Sequence, residues 1–253
     1  MNKTVLITGA TSGIGKSTAI QFAKNKYNLI LTGRRLDRLE NLKSTLEKDY
    51  AIDIQILQFD VCNKLETQTA LASIDFNRFK TIDILINNAG LAAGFGGIDE
   101  GDYADWDIMI DTNVKGLLYV SREIIPLMKA QGFGHIVNIG STAAKEVYPN
   151  GNVYCATKHA VDALSKSMRI DLLTFGIKVT AIHPGACETE FAMVRFKGDE
   201  EKANAVYKGF IPLTPDDIAD TIYYTCTLPK HVCINDLTIT CLSQASANHI
   251  YKK

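Results

Sequence analysis

The sequence lacks the marks of several large classes of protein. Its six cysteines, Cys62, Cys155, Cys187, Cys226, Cys233 and Cys241, include no C-x-x-C pair. Disulfide scaffolds are short and cysteine-dense, and zinc sites need clustered ligands. Dispersed thiols in a chain of 253 residues read instead as small buried apolar side chains in a reducing compartment. No His/Cys/Asp cluster suggests a metal. No apolar run approaches the roughly eighteen residues of a membrane helix, and the first residues lead into a strand rather than the apolar stretch of a signal peptide. The expectation is a cytoplasmic protein with no membrane contact. An excess of either charge is missing too: 27 Lys and Arg stand against 28 Asp and Glu, a net charge of −1. The short basic cluster Arg34-Arg35…Arg38 does not make a polyanion-binding face, so nucleic acid is not an expected partner. Repeats, low-complexity segments and Pro/Ser-rich linkers are absent.

What remains is a chain with 46% hydrophobic residues, enough for a sizeable core. Short β-branched runs alternate with longer segments of helical periodicity, the signature of βαβ units on a parallel sheet. The pattern predicts strands at 4–8, 28–32, 53–58, 83–87, 135–139, 178–183 and 236–240. Helices are expected at about 13–26, 35–49, 63–75, 103–130, 152–174 and 215–227. Continuous apolar strands such as Val5-Leu6-Ile7 and Ile84-Leu85-Ile86 imply a sheet covered on both faces. The expected fold is α/β, a single doubly wound Rossmann-type domain with a seven-stranded parallel sheet. The polar stretch Gly198-Asp199-Glu200-Glu201-Lys202 reads as part of a mobile insertion, a small substrate lid near 188–212.

Directly after the first strand comes Thr8-Gly9-Ala10-Thr11-Ser12-Gly13-Ile14-Gly15 and then a helix. Glycines at a strand-to-helix turn let the backbone approach a phosphate, which the helix N-terminus then meets with free N–H groups and positive dipole. The spacing is G-x-x-x-G-x-G, not the commoner G-x-G-x-x-G. The end of the second strand bears on the nucleotide. Enzymes using NAD place an acid there for the adenosine ribose; this chain has Thr32-Gly33-Arg34-Arg35 and no acid until Asp37. A carboxylate would repel a 2′-phosphate and a guanidinium can grip it, so NADP is favoured over NAD.

Tyr154 and Lys158 lie four residues apart in a segment that reads as helix, which puts them on one face about one turn apart. Hydride transfer to a ketone needs a proton donor at the developing alkoxide. A tyrosine with an ordinary pKa of about 10 becomes competent beside an ammonium. Ser141 follows the fifth strand, at the carboxyl edge where open α/β sheets bind ligands. Its hydroxyl there can position a substrate oxygen; for Ser141 alone, a loop or helix-capping role is the alternative.

Together these residues resemble the short-chain dehydrogenase/reductase family. Thr8 to Gly15, Asn87-Asn88-Ala89-Gly90, Asn113, Ser141, Tyr154-x-x-x-Lys158 and Pro184-Gly185 match its motifs in order and cover essentially the whole chain. The resemblance implies that Tyr154 is the general acid/base, that Lys158 lowers its pKa and holds the nicotinamide ribose, and that Ser141 orients the carbonyl. Asn113 would anchor a water in the proton relay. Gly9, Thr11, Ser12, Gly13, Ile14 and Gly15 would cradle the pyrophosphate, and Arg34 and Arg35 would meet the 2′-phosphate. Asp60 and Val61 would meet the adenine, and Asn87, Ala89 and Gly90 would run along the cofactor. Pro184, Gly185 and Thr189 would lie at the carboxamide. For Asn87 a sheet-stabilising turn is the alternative, and both roles are open to it.

Two stretches are closer still to one branch, the NADP-dependent 3-hydroxy acid dehydrogenases: Ile139 to Ala143 with Gly151 to Tyr154, and Thr189-Glu190-Phe191 followed by Val194 to Asp199. Enzymes of that branch act on serine, L-allo-threonine and related 3-hydroxy acids, and some reduce malonic semialdehyde. They are typically homotetramers, which would make the tail Leu242–Lys253 an intersubunit element. A carboxylate substrate needs a cation, and Arg195 and Lys197 in the expected lid are the candidates, with a solvated charged face as the alternative. Two alternatives stay open: a broad carbonyl or 3-oxoacyl reductase on the same scaffold, and a non-catalytic NADPH-binding sensor.

Overall fold

In a computed structural model, residues 2–253 are described. Among them seven strands form one sheet: β1 (Thr4–Ile7), β2 (Asn28–Gly33), β3 (Ile54–Gln58), β4 (Ile84–Asn87), β5 (Gly134–Ile139), β6 (Ile177–Pro184) and β7 (Asp236–Ile239). The order across the sheet is β3-β2-β1-β4-β5-β6-β7, and every pairing is parallel. The chain builds outward from β1 to β3, then returns to the other side of β1 for β4. The crevice beyond the carboxyl ends of β1 and β4 is the topological switch point, where ligands bind in such sheets.

The alternation of strand side chains explains why both faces are apolar. Val5 and Ile7 of β1, with Leu29 and Leu31 of β2, pack against Phe22 of α1 (Gly13–Lys24), Leu39 of α2 (Leu36–Asp49) and Ile218 of α9 (Pro215–Thr227). The intervening Leu6 and Ile30 face the other way, onto Ile124 of α5 (Leu117–Gln131) and Val161 and Met168 of α6 (Asn152–Leu172). A one-residue slip would exchange the two cores, so the register is strongly specified.

Three stretches differ from the sequence expectation. The helix expected over 103–130 is divided: α4 (Tyr103–Ile110) passes into a π-helical turn, Asp111–Gly116, before α5. Such wider turns collect at functional sites, and this one carries Asn113. The third helix, α3 (Lys64–Ala72), is shorter than expected, because the Ser73 hydroxyl donates to the Ala70 carbonyl at 2.7 Å and closes its end. The insertion after β6 is ordered into α7 (Phe191–Arg195) and α8 (Glu200–Tyr207). Its polar residues start a helix: the Asp199 carboxylate accepts from the Lys202 N–H at 3.1 Å as an N-cap.

The tail folds back on its own chain. The Ala186 N–H donates to Gln244 Oε1 at 2.8 Å, the Asn248 amide donates to the Val147 carbonyl at 2.9 Å, and the Lys253 N–H donates to the Gly209 carbonyl at 2.8 Å. Among the described residues no helix is long and apolar enough to cross a membrane.

Candidate active site

A cavity of about 570 Å³ runs along the carboxyl edge of the sheet from β2 to β6. One end is built by the turn after β1. Gly9 and Gly13 have φ of +67° and +49°, conformations open to glycine at little cost. Asn88 donates its side-chain amide to the carbonyls of Thr8 and Gly9, at 2.9 and 3.2 Å. The Thr8 hydroxyl accepts from the N–H groups of Asn88 and Ala89 at 3.0 Å. The turn after β1 and the loop after β4 are thereby locked together across the switch point. Gly15 lies inside this lock, where a Cβ would run into the Gly9 carbonyl. It shapes the turn and does not line the cavity.

The first turn of α1 holds no acidic residue, and its N-cap Ser12 makes no side-chain capping bond. The Ser12 hydroxyl accepts instead from Arg35, at 3.0 Å. Uncapped amides and an unopposed helix dipole fit an anionic diphosphate. Thr11, Ser12, Gly13 and Ile14 all line the cavity here, as do Arg34, Arg35, Asp60 and Val61. Arg34 lies 3.5 Å from Asp60 in an exposed pair. Arg35 points inward, donating to Thr11 Oγ1 at 2.9 Å.

Tyr154, Lys158 and Ser141 converge at the other end. Tyr154 and Lys158 are both buried, on one face of α6. The Lys158 ammonium donates to the Ile139 carbonyl at 3.0 Å and lies 5.8 Å from the Tyr154 ring centre. Burial brings its pKa down to about 8. Burial, with the Tyr148 phenol adding to it, holds the Tyr154 hydroxyl well above its ordinary value; Ser141 and Arg195 pull in the opposite direction. The Tyr154 phenol is therefore held protonated, a proton donor facing a ligand cavity. Ala89, Gly90, Pro184, Gly185 and Thr189 line the space between the two ends.

Two residues singled out by sequence lie behind the wall. Asn113 is buried in the π-helical turn, where its side chain accepts from the Leu91 N–H and donates to the Leu91 carbonyl, both at 2.8 Å. It also donates to Thr157 at 3.0 Å, bracing the loop after β4 against α6. Asn87 donates to Ser121 and Asn138, at 3.0 and 2.9 Å. It ties β4 to β5 and does not face the cavity.

The two candidate cations separate clearly. Lys197 pairs with Asp105 at 3.0 Å and Asp102 at 3.5 Å, beside a smaller cavity of about 280 Å³. Arg195 lines both cavities. Its guanidinium carbon lies 4.8, 5.4 and 5.6 Å from the ring centres of Phe95, Tyr148 and Tyr154, and it donates to the Tyr148 hydroxyl at 2.7 Å. Its Nε is buried with no hydrogen-bond partner among the described residues. Phe95, Tyr148, Phe191, Tyr207 and Gln244 complete this end. Phe191 belongs to the Thr189-Glu190-Phe191 stretch noted in the sequence; the other four were not singled out, since each comes from a different segment and carries no local motif.

Behind Ser141, His183 sets one ring nitrogen 3.2 Å from the Ser141 carbonyl and the other 3.2 Å from Asp236. Asp162 joins this group, and the three could in principle hold an ion. The Lys145 ammonium already sits there, 2.8 Å from Asp162 and 2.6 Å from Asp236, so the positive charge is supplied by the chain. Burial alone would raise the Asp162 carboxyl, but Lys145 and Lys166 bring it down to about 2.

Comparison with known proteins agrees with this geometry. The chain is 42% identical to a serine 3-dehydrogenase of Agrobacterium fabrum over 255 residues, covering 100% of both. It is 41% identical to an NADP-dependent 3-hydroxy acid dehydrogenase of Schizosaccharomyces pombe, over 99% of this chain and 97% of that one. Its structure is similar to the closed form of a serine dehydrogenase complexed with NADP+, with a TM-score of 0.92 and 42% identity over 99% of both chains. A serine dehydrogenase from Escherichia coli superimposes with a TM-score of 0.82 at 38% identity, over 96% of this chain and 99% of that one. Residues 3–200 match the short chain dehydrogenase family, and with the glycine turn, Ser141, Tyr154 and Lys158 on one cavity, the chain belongs to that family.

Proposed function

We propose that this enzyme is an NADP-dependent oxidoreductase that moves a hydride to or from the C3 position of small 3-hydroxy acids of the serine, L-allo-threonine and 3-hydroxypropionate type. The observation that carries the substrate class is Arg195, an aromatic-walled guanidinium that lines the cavity beside Tyr154. A carboxylate on the cavity-lining edge of that guanidinium anchors a short acid with its oxygen at Ser141 and Tyr154. NADP, when bound, supplies the hydride carrier. The turn from Gly9 to Gly13 and the start of α1 hold its diphosphate, and Arg34 and Arg35 take its 2′-phosphate.

The chain's own residues manage the proton. In the reducing direction Ser141 donates a hydrogen bond to the carbonyl oxygen, and Tyr154 gives up its phenolic proton to that oxygen as hydride reaches the carbon. Lys158 stabilises the phenolate left behind. Oxidation runs the same steps backward, with the tyrosinate accepting the hydroxyl proton. The segment at 188–212 acts as the lid, closing Phe191 and Arg195 over the substrate and excluding water.

The direct test follows absorbance at 340 nm with NADP or NAD and L-serine, L-allo-threonine and 3-hydroxypropionate. NADP-dependent turnover of these acids is expected. Turnover confined to bulkier neutral ketones would discard the hydroxy-acid reading and leave a broad carbonyl reductase.

Lys158 gives a pH prediction. With its pKa brought down to about 8 by burial, it is charged below that pH and loses its proton above it. The negatively charged cofactor favours the charged form, so binding takes up a proton above about pH 8. NADPH affinity is expected to fall as the pH rises through that value, and Lys158→Met is expected to remove the slope in a fluorescence titration. An equal slope in the variant would assign the titration elsewhere.

The assembly we infer is a homotetramer in the cytoplasm. Exposed Ile170 on α6 and Leu173 just beyond it, with six free cysteines, support that reading. Light scattering on the purified protein reads the subunit number.

A further inference from the structure

The sequence offers the cofactor arginines no acid at the end of the second strand, but the fold brings one from 155 residues away. Glu190, immediately before α7, sets Oε2 3.1 Å from Arg35 Nη1 and Oε1 2.7 Å from Arg38 Nη1. One carboxylate thus bridges two guanidinium groups. The remaining edge of Arg35 donates to Thr11 at 2.9 Å and to Ser12 at 3.0 Å. Among the described residues Arg35 and Arg38 have no other acidic partner within salt-bridge distance. Glu190 and Arg35 both line the cavity.

Glu190 also stands between two residues that touch the site. Thr189 lies at Gly13, where a Cβ would come 3.2 Å from its methyl group. Phe191 packs edge-on against Tyr154, with ring centres 5.5 Å apart. The ion pair therefore staples the start of the lid to the cofactor end of the cavity.

We propose that Glu190 is a built-in competitor for the 2′-phosphate of NADP(H), a specificity-determining residue that holds Arg35 and Arg38 until the phosphate displaces it. This rests on the assignment of Arg35 to the 2′-phosphate made above. A phosphate monoester brings nearly two negative charges and three strong acceptor oxygens, against one charge and two oxygens on Glu190, so it wins the shared guanidinium edges. A 2′-hydroxyl cannot do so: with NAD(H) bound, the arginines stay neutralised and the lid stays stapled. Displacement frees the segment between Thr189 and Phe191, coupling recognition of the phosphate to the aromatic wall beside Tyr154. The pair is roughly half exposed, and such pairs are weak and screened by salt. The penalty that Glu190 places on NADP(H) is accordingly modest.

The test measures dissociation constants by fluorescence and calorimetry for NADPH, NADH and 2′-AMP, at low and high salt. Glu190→Gln keeps the size of the side chain and removes its charge. It is expected to tighten NADPH and 2′-AMP about three- to tenfold at low salt, to leave NADH within about twofold, and to lose most of the gain at high salt. Unchanged or weaker NADPH binding would overturn the proposal, as would equal tightening of NADH. An Arg35→Ala/Arg38→Ala variant separates the two claims. If it binds NADPH as tightly as wild type, the assignment of these arginines to the 2′-phosphate fails. If it weakens NADPH but not NADH, that assignment stands. In that case Glu190→Gln must give no gain in the arginine-free background, and a gain there would place the effect of Glu190 elsewhere.

Discussion

Tyr154→Phe is expected to lower kcat by about 10²- to 10⁴-fold, the span that a positioned general acid contributes, while NADPH binding stays within about twofold. The substitution removes one oxygen and leaves the ring. The edge-on packing against Phe191 and the contact with the Arg195 guanidinium both persist, so the cavity keeps its shape. What is lost is the proton. Because burial holds the phenol above its ordinary pKa, wild-type Tyr154 is protonated and ready to donate across the neutral range. The reduction direction should therefore suffer at every pH tested between 6 and 8 (about that range, well below the ordinary tyrosine value). Single-turnover kinetics with saturating NADPH check this. Activity within tenfold of wild type would remove Tyr154 from the acid/base role.

Arg195→Leu carries the second large expectation. Removing one member of a desolvated charge pair costs roughly 2–5 kcal/mol, so kcat/KM for 3-hydroxy acids is expected to fall by about 30- to 4000-fold, at 1.4 kcal/mol per decade. A neutral secondary alcohol of similar size should lose only a few-fold, reflecting lost packing against Phe95 and Tyr148. Arg195→Lys is expected to recover part of the loss, because an ammonium keeps the charge but not the planar fork. Equal losses on acids and neutral alcohols would show that Arg195 only supports the aromatic wall. The comparison of Lys197 with Arg195 strengthens this test: Lys197 is already satisfied by Asp102 and Asp105, so Lys197→Met should leave the acid preference intact.

Much of the candidate site was legible because its residue pattern is carried by local spacing. Tyr154 and Lys158 share a helix face at four-residue separation, and the glycine turn lies between one strand and one helix, so neither needs the rest of the chain to be recognised. Ser141 was legible from its place at the end of a strand. The parallel sheet was legible because strands buried on both faces must be continuously apolar, and Val5, Leu6 and Ile7 divide themselves between two cores by alternation alone. Helix ends were less so: the π-helical turn at Asp111–Gly116 follows no sequence break, since periodicity registers a helix but not one extra residue in its turn. The two short helices of the insertion were not read from its polar composition, although Asp199 is a capping residue.

By itself, then, the sequence pointed to the α/β layering, to NADP as the cofactor, and to the glycine turn and the Tyr154–Lys158 pair as site candidates, all properties of contiguous segments. The tertiary structure decided which of two cations lines the cavity beside Tyr154, that Asn87 braces the sheet, and that Gln244 of the tail reaches the cavity. It also decided that Glu190 meets Arg35 and Arg38. The physical reason is the same for each: these outcomes depend on distances between side chains from separate crossovers of the sheet. Hydrophobic alternation and turn chemistry are local and visible in one dimension, whereas charge pairing across a cavity exists only after the chain has folded.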